Sequence, residues 1–161
     1  MNQLTVLNPR VLQDIPALKG SARLAVLKGA VIGFVNNSKL NADIFIGRLQ
    51  PVLQQEYGIT IGALVRKNAP KDELSERDVA LLSGCAAVVQ CYGDCGTSTS
   101  MSVADGVKLE QRGIPTVTVC SSAFYQAARF QAAGRGMTDL PIVEIPHPMH
   151  TAPKLLVEQR A

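Results

Sequence analysis

The residues best suited to chemistry lie in one short stretch, Gly93-Asp94-Cys95-Gly96-Thr97-Ser98-Thr99-Ser100. A cysteine stands between two glycines and is followed by four hydroxyl residues. We expect Gly93 and Gly96 to allow positive φ and a close approach of the backbone to a ligand. A helix predicted just beyond them offers free N–H groups and a positive dipole end, which lower the pKa of a nearby thiol. The stretch therefore predicts Cys95 as a thiolate nucleophile, the alternative being a polar turn with a buried cysteine.

Alternating apolar and amphipathic segments predict the elements that position this loop. Apolar runs predict strands at residues 30–35, 59–65, 86–91, 115–120 and 140–145. Helical patterns fill the intervals, at residues 42–57, 75–83, 101–112, 123–133 and 153–160. Such alternation is typical of right-handed βαβ units. We therefore expect a single α/β domain over residues 1–161, a doubly wound and mostly parallel sheet of about five strands with helices on both faces, in the three-layer flavodoxin-like arrangement.

The carboxyl ends of the predicted strands collect most of the unusual polar residues, including three of the four cysteines and both histidines. Ligands bind beyond this edge in open parallel sheets. Cys120 is a second candidate thiol, with simple packing as an equal alternative. His147, fixed between two prolines, is a candidate general acid or base, or an ordinary loop histidine. The predicted substrate-binding residues are Asn36, Asn37, Asn41, Asp94, Gly96, Thr97, Ser98, Thr99, Ser100 and Ser121.

The composition restricts the class of function. The chain has 161 residues, of which 47% are hydrophobic and 18% charged, enough to bury a globular core. Its net charge is +3, and its basic residues are scattered along the chain. The scatter argues against a nucleic-acid surface, whereas the mild positive charge is compatible with a small anionic substrate. Because no signal peptide or membrane-length apolar window is recognisable, we expect a cytoplasmic protein without membrane contact.

Metal and nucleotide sites are weaker interpretations of the same residues. Cys91, Cys95, Cys120 and His147 lack the spacing of common zinc sites, so no metal is predicted. The glycine-containing loop lacks the Gly-Lys-Ser/Thr ending of a P-loop. A flavin phosphate could bind its hydroxyl run, although in flavodoxins that loop follows the first strand and here it follows the third. No cofactor is firmly predicted, and an external thiol or redox partner stays open.

Three groups of residues together resemble the UGSC family. The first is the loop from Gly93 to Ser100, continued by Leu109-Glu110-x-Arg112-Gly113-Ile114-Pro115. The others are Asn36-Asn37-Ser38-Lys39-Leu40-Asn41-Ala42-Asp43 and the closing Leu140-Pro141 with Pro146-His147-Pro148. The family is named after a selenocysteine- or cysteine-Gly-Ser-Cys motif. It is related to the selenoprotein B component of glycine, sarcosine and betaine reductases, and the likeness covers nearly the whole chain.

The resemblance implies attack of a sulfur or selenium anion on carbon, with displacement of a leaving group. Cys95 matches the selenocysteine or cysteine position, whereas the second motif cysteine aligns with Ser98. A disulfide between these two positions is therefore impossible here. Any resolving thiol would have to be Cys91, Cys120, a partner protein or a small thiol. By the same resemblance, His147 protonates the leaving group and the loop at residues 36–41 orients the substrate.

Three functions of different classes follow. The first is a cysteine-dependent enzyme or enzyme subunit of reductase, lyase or transferase type. It would form a thioether-type adduct with a small organic substrate, in reductive C–N or C–X cleavage or C–S bond formation, within a homo- or hetero-oligomer containing a second subunit. The second is a non-catalytic ligand-binding or assembly subunit of a multi-component reductase, which Ser98 favours. The third is a flavin- or nucleotide-phosphate-binding domain.

Overall fold

Strands and helices alternate strictly along residues 14–161, the part of the chain that the computed structural model describes. In chain order they are β1 Val31–Asn36, α1 Ala42–Tyr57, β2 Thr60–Arg66, α2 Glu76–Leu82, β3 Ala87–Gly93, α3 Gly96–Gln111, β4 Thr116–Ser121, α4 Ser122–Gly134, β5 Ile142–Ile145 and α5 Lys154–Arg160. The strands form one parallel sheet in the order β2-β1-β3-β4-β5. The predicted α/β class and five-stranded parallel sheet are confirmed.

Helices cover both faces of the sheet, as predicted. Helices α1 and α5 pack on one face, where a core forms around Phe34, Phe45, Tyr92, Met149 and Val157. Helices α2, α3 and α4 pack on the other face, with cores that include Val35, Leu82, Leu109, Val103 and Ala128. Because both faces are covered, β1 and β3 are almost continuously apolar rather than alternating. The result is the expected three-layer arrangement.

The longest helices of the described chain, α1 and α3, have 16 residues each. A membrane span needs about 20 consecutive apolar residues. Within residues 14–161, no helix is long and apolar enough to cross a membrane.

Helix α3 begins at Gly96, five residues before the predicted start, so the hydroxyl run forms its first turn instead of a loop. The reason is a capping box in which Cys95 Sγ accepts the Ser98 N–H at 3.4 Å and Ser98 Oγ accepts the Cys95 N–H at 3.2 Å. Cysteine is not among the usual capping residues, so the pattern gave no start signal.

The expectation of positive φ at Gly93 and Gly96 is wrong, because neither backbone enters the left-handed region. Gly93 serves close packing instead. A Cβ atom there would lie 2.8 Å from Thr99 Oγ1 and 3.2 Å from Cys120 Sγ. At Gly96 a Cβ atom would meet nothing within 4 Å, so this position faces open space. The glycine pair thus brings β3 close to α3 and leaves the helix start uncovered.

Buried ionic contacts hold α3 in place along its length. Lys67 Nζ lies 2.6 Å from Asp105 Oδ2, and both side chains are 1% exposed. The second Asp105 oxygen accepts the Leu74 N–H at 2.8 Å. Near the helix end, buried Glu110 accepts the Thr116 N–H at 2.6 Å and pairs with Arg23. These contacts join α3, and with it the Cys95 loop, to the segment after β2, to β4 and to the chain before β1.

Candidate active site

The Cys95 loop lies at the carboxyl ends of β1 and β3, neighbouring strands from which the chain turns to opposite sides of the sheet. Such a switch point is the usual ligand site of an open α/β sheet. At this edge of the sheet, hydrogen bonds join the loop after β1 to β3. Asn37 donates from its backbone N–H to the Cys91 carbonyl at 2.9 Å and from Nδ2 to the Tyr92 carbonyl at 2.6 Å. Tyr92 donates its hydroxyl back to the Leu40 carbonyl at 2.5 Å.

The Cys95 thiol is part-exposed at the start of α3. Its sulfur accepts the Ser98 N–H and lies 3.2 Å from Ser98 Oγ. Partial burial alone raises the pKa of this thiol, but the Ser98 hydroxyl, the Ser98 N–H and the Lys39 ammonium group together hold the pKa below its ordinary value. These contacts shift the thiol toward the thiolate relative to an ordinary cysteine. The role of Cys95 as a nucleophile stays a prediction.

The hydroxyl run that follows Cys95 divides into an inner and an outer part. Ser98 and Thr99 are buried, Thr99 Oγ1 lying 4.0 Å from Cys120 Sγ. Thr97 is exposed and Ser100 is half-buried, so these two hydroxyls remain on the outside. Of the predicted substrate-binding hydroxyls on this turn, the structure leaves Thr97 the most accessible, beside the open Gly96 position.

Asp94, the residue before Cys95, is a buried carboxylate that holds both histidines. Its Oδ1 lies 2.8 Å from His147 Nδ1, and its Oδ2 contacts His150 Nδ1. Oδ2 also accepts the backbone N–H groups of Met149 and His150 at 3.2 and 3.0 Å. Burial raises the pKa of Asp94, but hydrogen bonds from Ser121 and from the ring and backbone of His150 outweigh it and lower the pKa. The ionised Asp94 carboxylate therefore orients the two histidine rings. Because it is buried, it is not accessible to a substrate.

His147 is held on three sides. Ser121 Oγ lies 3.1 Å from its Nδ1, its backbone N–H donates to Ser122 Oγ at 3.3 Å, and its ring lies 5.8 Å from the Phe124 ring between centroids. A carboxylate at Nδ1 assigns the neutral ring's proton to that nitrogen. Nε2 is then the nitrogen available to give or take a proton, which is the chemistry predicted for this residue.

The three predicted asparagines bind other parts of the protein. Asn36 Oδ1 accepts the Ser38 N–H at 2.8 Å, and Asn37 is engaged with β3 as described. Asn41 Nδ2 donates to the carbonyls of Met149 and Ala152 at 2.9 and 3.0 Å. Asn37 and Asn41 therefore join the loop after β1 to β3 and to the segment after β5, and Asn36 stabilises that loop internally. The substrate-binding role predicted for the three residues stays a prediction.

The four cysteines differ in burial, and Cys95 is a part-exposed thiol of lowered pKa. Cys120 is fully buried, and burial raises its pKa to about 11 despite a hydrogen bond from Thr99. Cys91 is also buried, and burial raises its pKa. The fourth, Cys85, is half-buried on the α2 side of the sheet, where a Cβ atom at Gly33 would meet its sulfur. Cys120 therefore lies beside the site, but its burial and raised pKa disfavour the thiolate form.

The sequence analysis missed Lys39, and it placed His150 at this edge of the sheet without giving it a role. Lys39 follows β1 within the loop that is joined to β3, so a basic residue directly after a central strand was the signal for it. His150 lies three residues beyond His147, in the same segment after β5. Within the described range of the chain, no three or more His, Cys, Asp or Glu side chains cluster closely enough to hold a metal ion.

Two comparisons with known proteins show what this chain is similar to. Comparison with curated proteins finds no match. The family model of the UGSC family matches residues 5–161, a span that includes every site residue described above. The match extends over far more than half of the chain. The chain therefore belongs to the UGSC family.

Proposed function

We propose that this protein is a cysteine-dependent enzyme, or the thiol-bearing subunit of one, that forms a covalent thioether with a small organic substrate. One observation carries the proposal: a part-exposed thiol of lowered pKa caps a helix directly beside a buried carboxylate that orients two histidines. A nucleophile, an oriented acid–base group and an open helix start are the parts that nucleophilic displacement requires.

The proposed step is a displacement at carbon. Cys95 Sγ forms a bond to the substrate carbon as the bond from that carbon to the leaving group breaks, and the electron pair departs with the leaving group. A halide leaves as the anion. An amine takes a proton from Nε2 of a doubly protonated His147, which is left neutral with its remaining proton on Nδ1, facing Asp94.

Release of the adduct requires a thiol from outside this chain. An external thiol that attacks the same carbon displaces the Cys95 thiolate and completes C–S bond formation. Reductive release would instead consume two electrons from an external dithiol, which ends as a disulfide. Because Ser98 stands at the second motif position, that dithiol belongs to a second subunit or a small molecule. The proposal therefore includes a partner, in keeping with an oligomeric assembly.

The test is the pH dependence of Cys95 alkylation by iodoacetamide, followed by peptide mass spectrometry. We expect Cys95 to react first, with an apparent pKa well below the free-thiol value of about 8.5. Cys85 provides the internal control, since it is half-buried and distant from the histidines. Haloacids and amines would then be screened for stable adducts on Cys95, with Cys95→Ser as the blank. A Cys95 that reacts no faster than Cys85 contradicts the proposal.

The second candidate is a non-catalytic binding or assembly subunit, favoured by the hydroxyl of Ser98 in place of the family's second cysteine. An inert Cys95 together with co-purification of a partner chain would support it. The third candidate, a flavin- or nucleotide-phosphate-binding domain, has the strand order of flavodoxins in its favour. Visible absorbance of the purified protein, or a change in it on adding flavin mononucleotide, decides that case.

A further inference from the structure

We propose that the apolar pocket between α1, α5 and the sheet binds a small amphiphile, an aliphatic chain of medium length with one carboxylate, whose charge pairs with Arg160. The pocket has a volume of about 370 Å³, within the range of small-molecule sites. It is separate from the candidate active site, because neither Cys95 nor Asp94 nor either histidine lines it. Binding there is therefore independent of the chemistry proposed for Cys95.

The floor of the pocket is the part of the sheet that α5 leaves uncovered. Helix α1 has 16 residues, whereas α5 has seven and is therefore only about 10 Å long. Beside it, Val89 of β3 and Val117 of β4 remain half-exposed, although each lies in a strand with a neighbour on both sides. Val143 of the edge strand β5 is 48% exposed. Together these valines present an apolar floor that no helix of the described chain covers.

The walls of the pocket are apolar as well. Phe45, Leu49 and Leu53 line it from α1, and their spacing of four residues places them in one stripe along the helix. Leu27, which precedes β1, also contributes to the lining. An aliphatic chain in this pocket gains free energy with every methylene group that it removes from water.

Arg160 adds a single charge to this apolar lining. Among the described residues that line the pocket, only Arg160 carries a charged side chain. Its Nη1 donates to the carbonyls of Pro146 and Pro148 at 3.3 and 2.5 Å, and these bonds hold the guanidinium group in position.

The remaining donors of Arg160 are available to a ligand. Within residues 14–161, Nε and Nη2 have no hydrogen-bond acceptor, and no carboxylate lies within 4.0 Å of the guanidinium group. A guanidinium group binds a carboxylate through two parallel N–H···O bonds. An apolar pocket with one such group in its lining is the complement of an aliphatic carboxylate.

Isothermal titration with octanoate and with 1-octanol tests this pairing of chain and charge. The two ligands share their chain and differ in the carboxylate, and the measured quantities are their dissociation constants. We expect the wild type to bind octanoate more tightly than octanol. Arg160→Met should weaken octanoate binding at least tenfold, because hydrogen bonds to a charged group are lost, and should change octanol binding less than about twofold. Arg160→Lys keeps the charge and should recover part of the octanoate affinity.

Chain length and two further variants complete the experiment. Each methylene group added from hexanoate to octanoate should tighten binding about fourfold, the effect of burying that group. Arg77→Met removes the same charge from an exposed position on α2, on the opposite face of the sheet, and should change neither dissociation constant. Val143→Phe fills the pocket from its exposed edge and should weaken the binding of both ligands.

Three results would overturn the inference. They are the absence of saturable octanoate binding to the wild type, octanoate binding that Arg160→Met or Val143→Phe leaves unchanged, and an Arg160→Lys variant that binds octanoate no better than Arg160→Met. Weaker octanoate binding in Arg160→Met with octanol binding preserved, and with no effect of Arg77→Met, supports it. Alkylation of Cys95 is measured separately, so this pocket and the proposed function can each fail alone.

Discussion

Ser98 stands where the motif that this chain resembles has its second cysteine, and it closes the capping turn at Cys95. Its hydroxyl accepts the N–H groups of Asp94 and Cys95 at 3.1 and 3.2 Å and lies 3.2 Å from the Cys95 sulfur. A second thiol here would supply a redox partner to Cys95. The hydroxyl supplies instead a hydrogen bond that favours the thiolate. At this position the chain therefore has a thiol of lowered pKa and no second thiol beside it.

Replacing Ser98 by alanine should weaken the nucleophile. Without the hydroxyl the pKa of Cys95 rises, and alkylation at pH 7 should slow by about tenfold, since one hydrogen bond to a charged group contributes about 1.5 kcal/mol. The midpoint of the rate–pH profile should move to higher pH. Ser100→Ala, which removes the half-buried hydroxyl of this turn, is the control. An unshifted profile in Ser98→Ala would mean that Lys39 and the helix start determine the ionisation of the thiol.

At the scale of elements, α3 has Cys95 at its N-terminal cap and its buried ionic contacts further along. Asp105 and Glu110 lie on the same helix as the capping turn and bind the segment after β2, β4 and the segment before β1. A shift of the helix would therefore move Cys95 relative to Lys39 and His147. These contacts are charged although they are buried, which makes them costly to break individually.

Lys67→Met should be strongly destabilising. It leaves Asp105 buried without its counter-ion, and breaking one partner of a buried pair costs about 3–5 kcal/mol of unfolding free energy. Urea denaturation measures the loss. Lys71→Met, in the exposed loop after β2, is the matched control and should change stability little. Because similar apolar side chains can replace both members of such a pair, adding Asp105→Leu to Lys67→Met should recover part of the loss.

Glu110 should make the stability depend on pH in the acid range. Burial raises the pKa of this carboxyl, but bonds from Arg23, Thr116 and Ser21 outweigh it and lower the pKa. A lowered pKa in the folded state means that the stabilisation is present at neutral pH and is lost as the pH falls through the folded-state pKa.

Glu110→Gln should therefore cost about 1–3 kcal/mol at pH 7, and this difference from wild type should shrink as the pH falls through the acid range. Urea denaturation at a series of pH values measures it. Glu158→Gln, on the partly exposed pair with Lys154, is the control and should have a small effect at every pH. A cost that is the same at every pH would show that the charge of Glu110 is not responsible.

At the scale of the whole molecule, one sheet connects every described element. Tyr92 lies in its middle, fully buried and 6.1 Å from the Phe45 ring between centroids. The chain has three tyrosines and no tryptophan, so Tyr57→Phe/Tyr125→Phe leaves Tyr92 as the single tyrosine reporter of the core. We expect its fluorescence and the far-ultraviolet circular dichroism to give one coincident urea transition. Separate midpoints would contradict the prediction of a single domain.

Much of this architecture follows from sequence periodicity. Helix α1 has the predicted bounds, 42–57, because an apolar stripe and Gly58 mark it clearly, the glycine taking a φ of 64°. The start of α3 was missed because a cysteine replaces the usual capping oxygen. His150 could not be assigned to Asp94, since 56 residues separate them and only the folded sheet brings them together. The environment of Lys39 depends in the same way on the bonds that join its loop to β3.

One feature of the fold links folding to chemistry. The sulfur proposed to attack the substrate is also the acceptor that closes the first turn of α3, through the Ser98 N–H. A thiolate accepts that bond well, and a thioether accepts it poorly. Each round of substrate attachment would therefore loosen the helix start, and each release would tighten it again. The covalent intermediate is then the less ordered form of the protein, and a partner that collects the attached group would meet a loosened first turn.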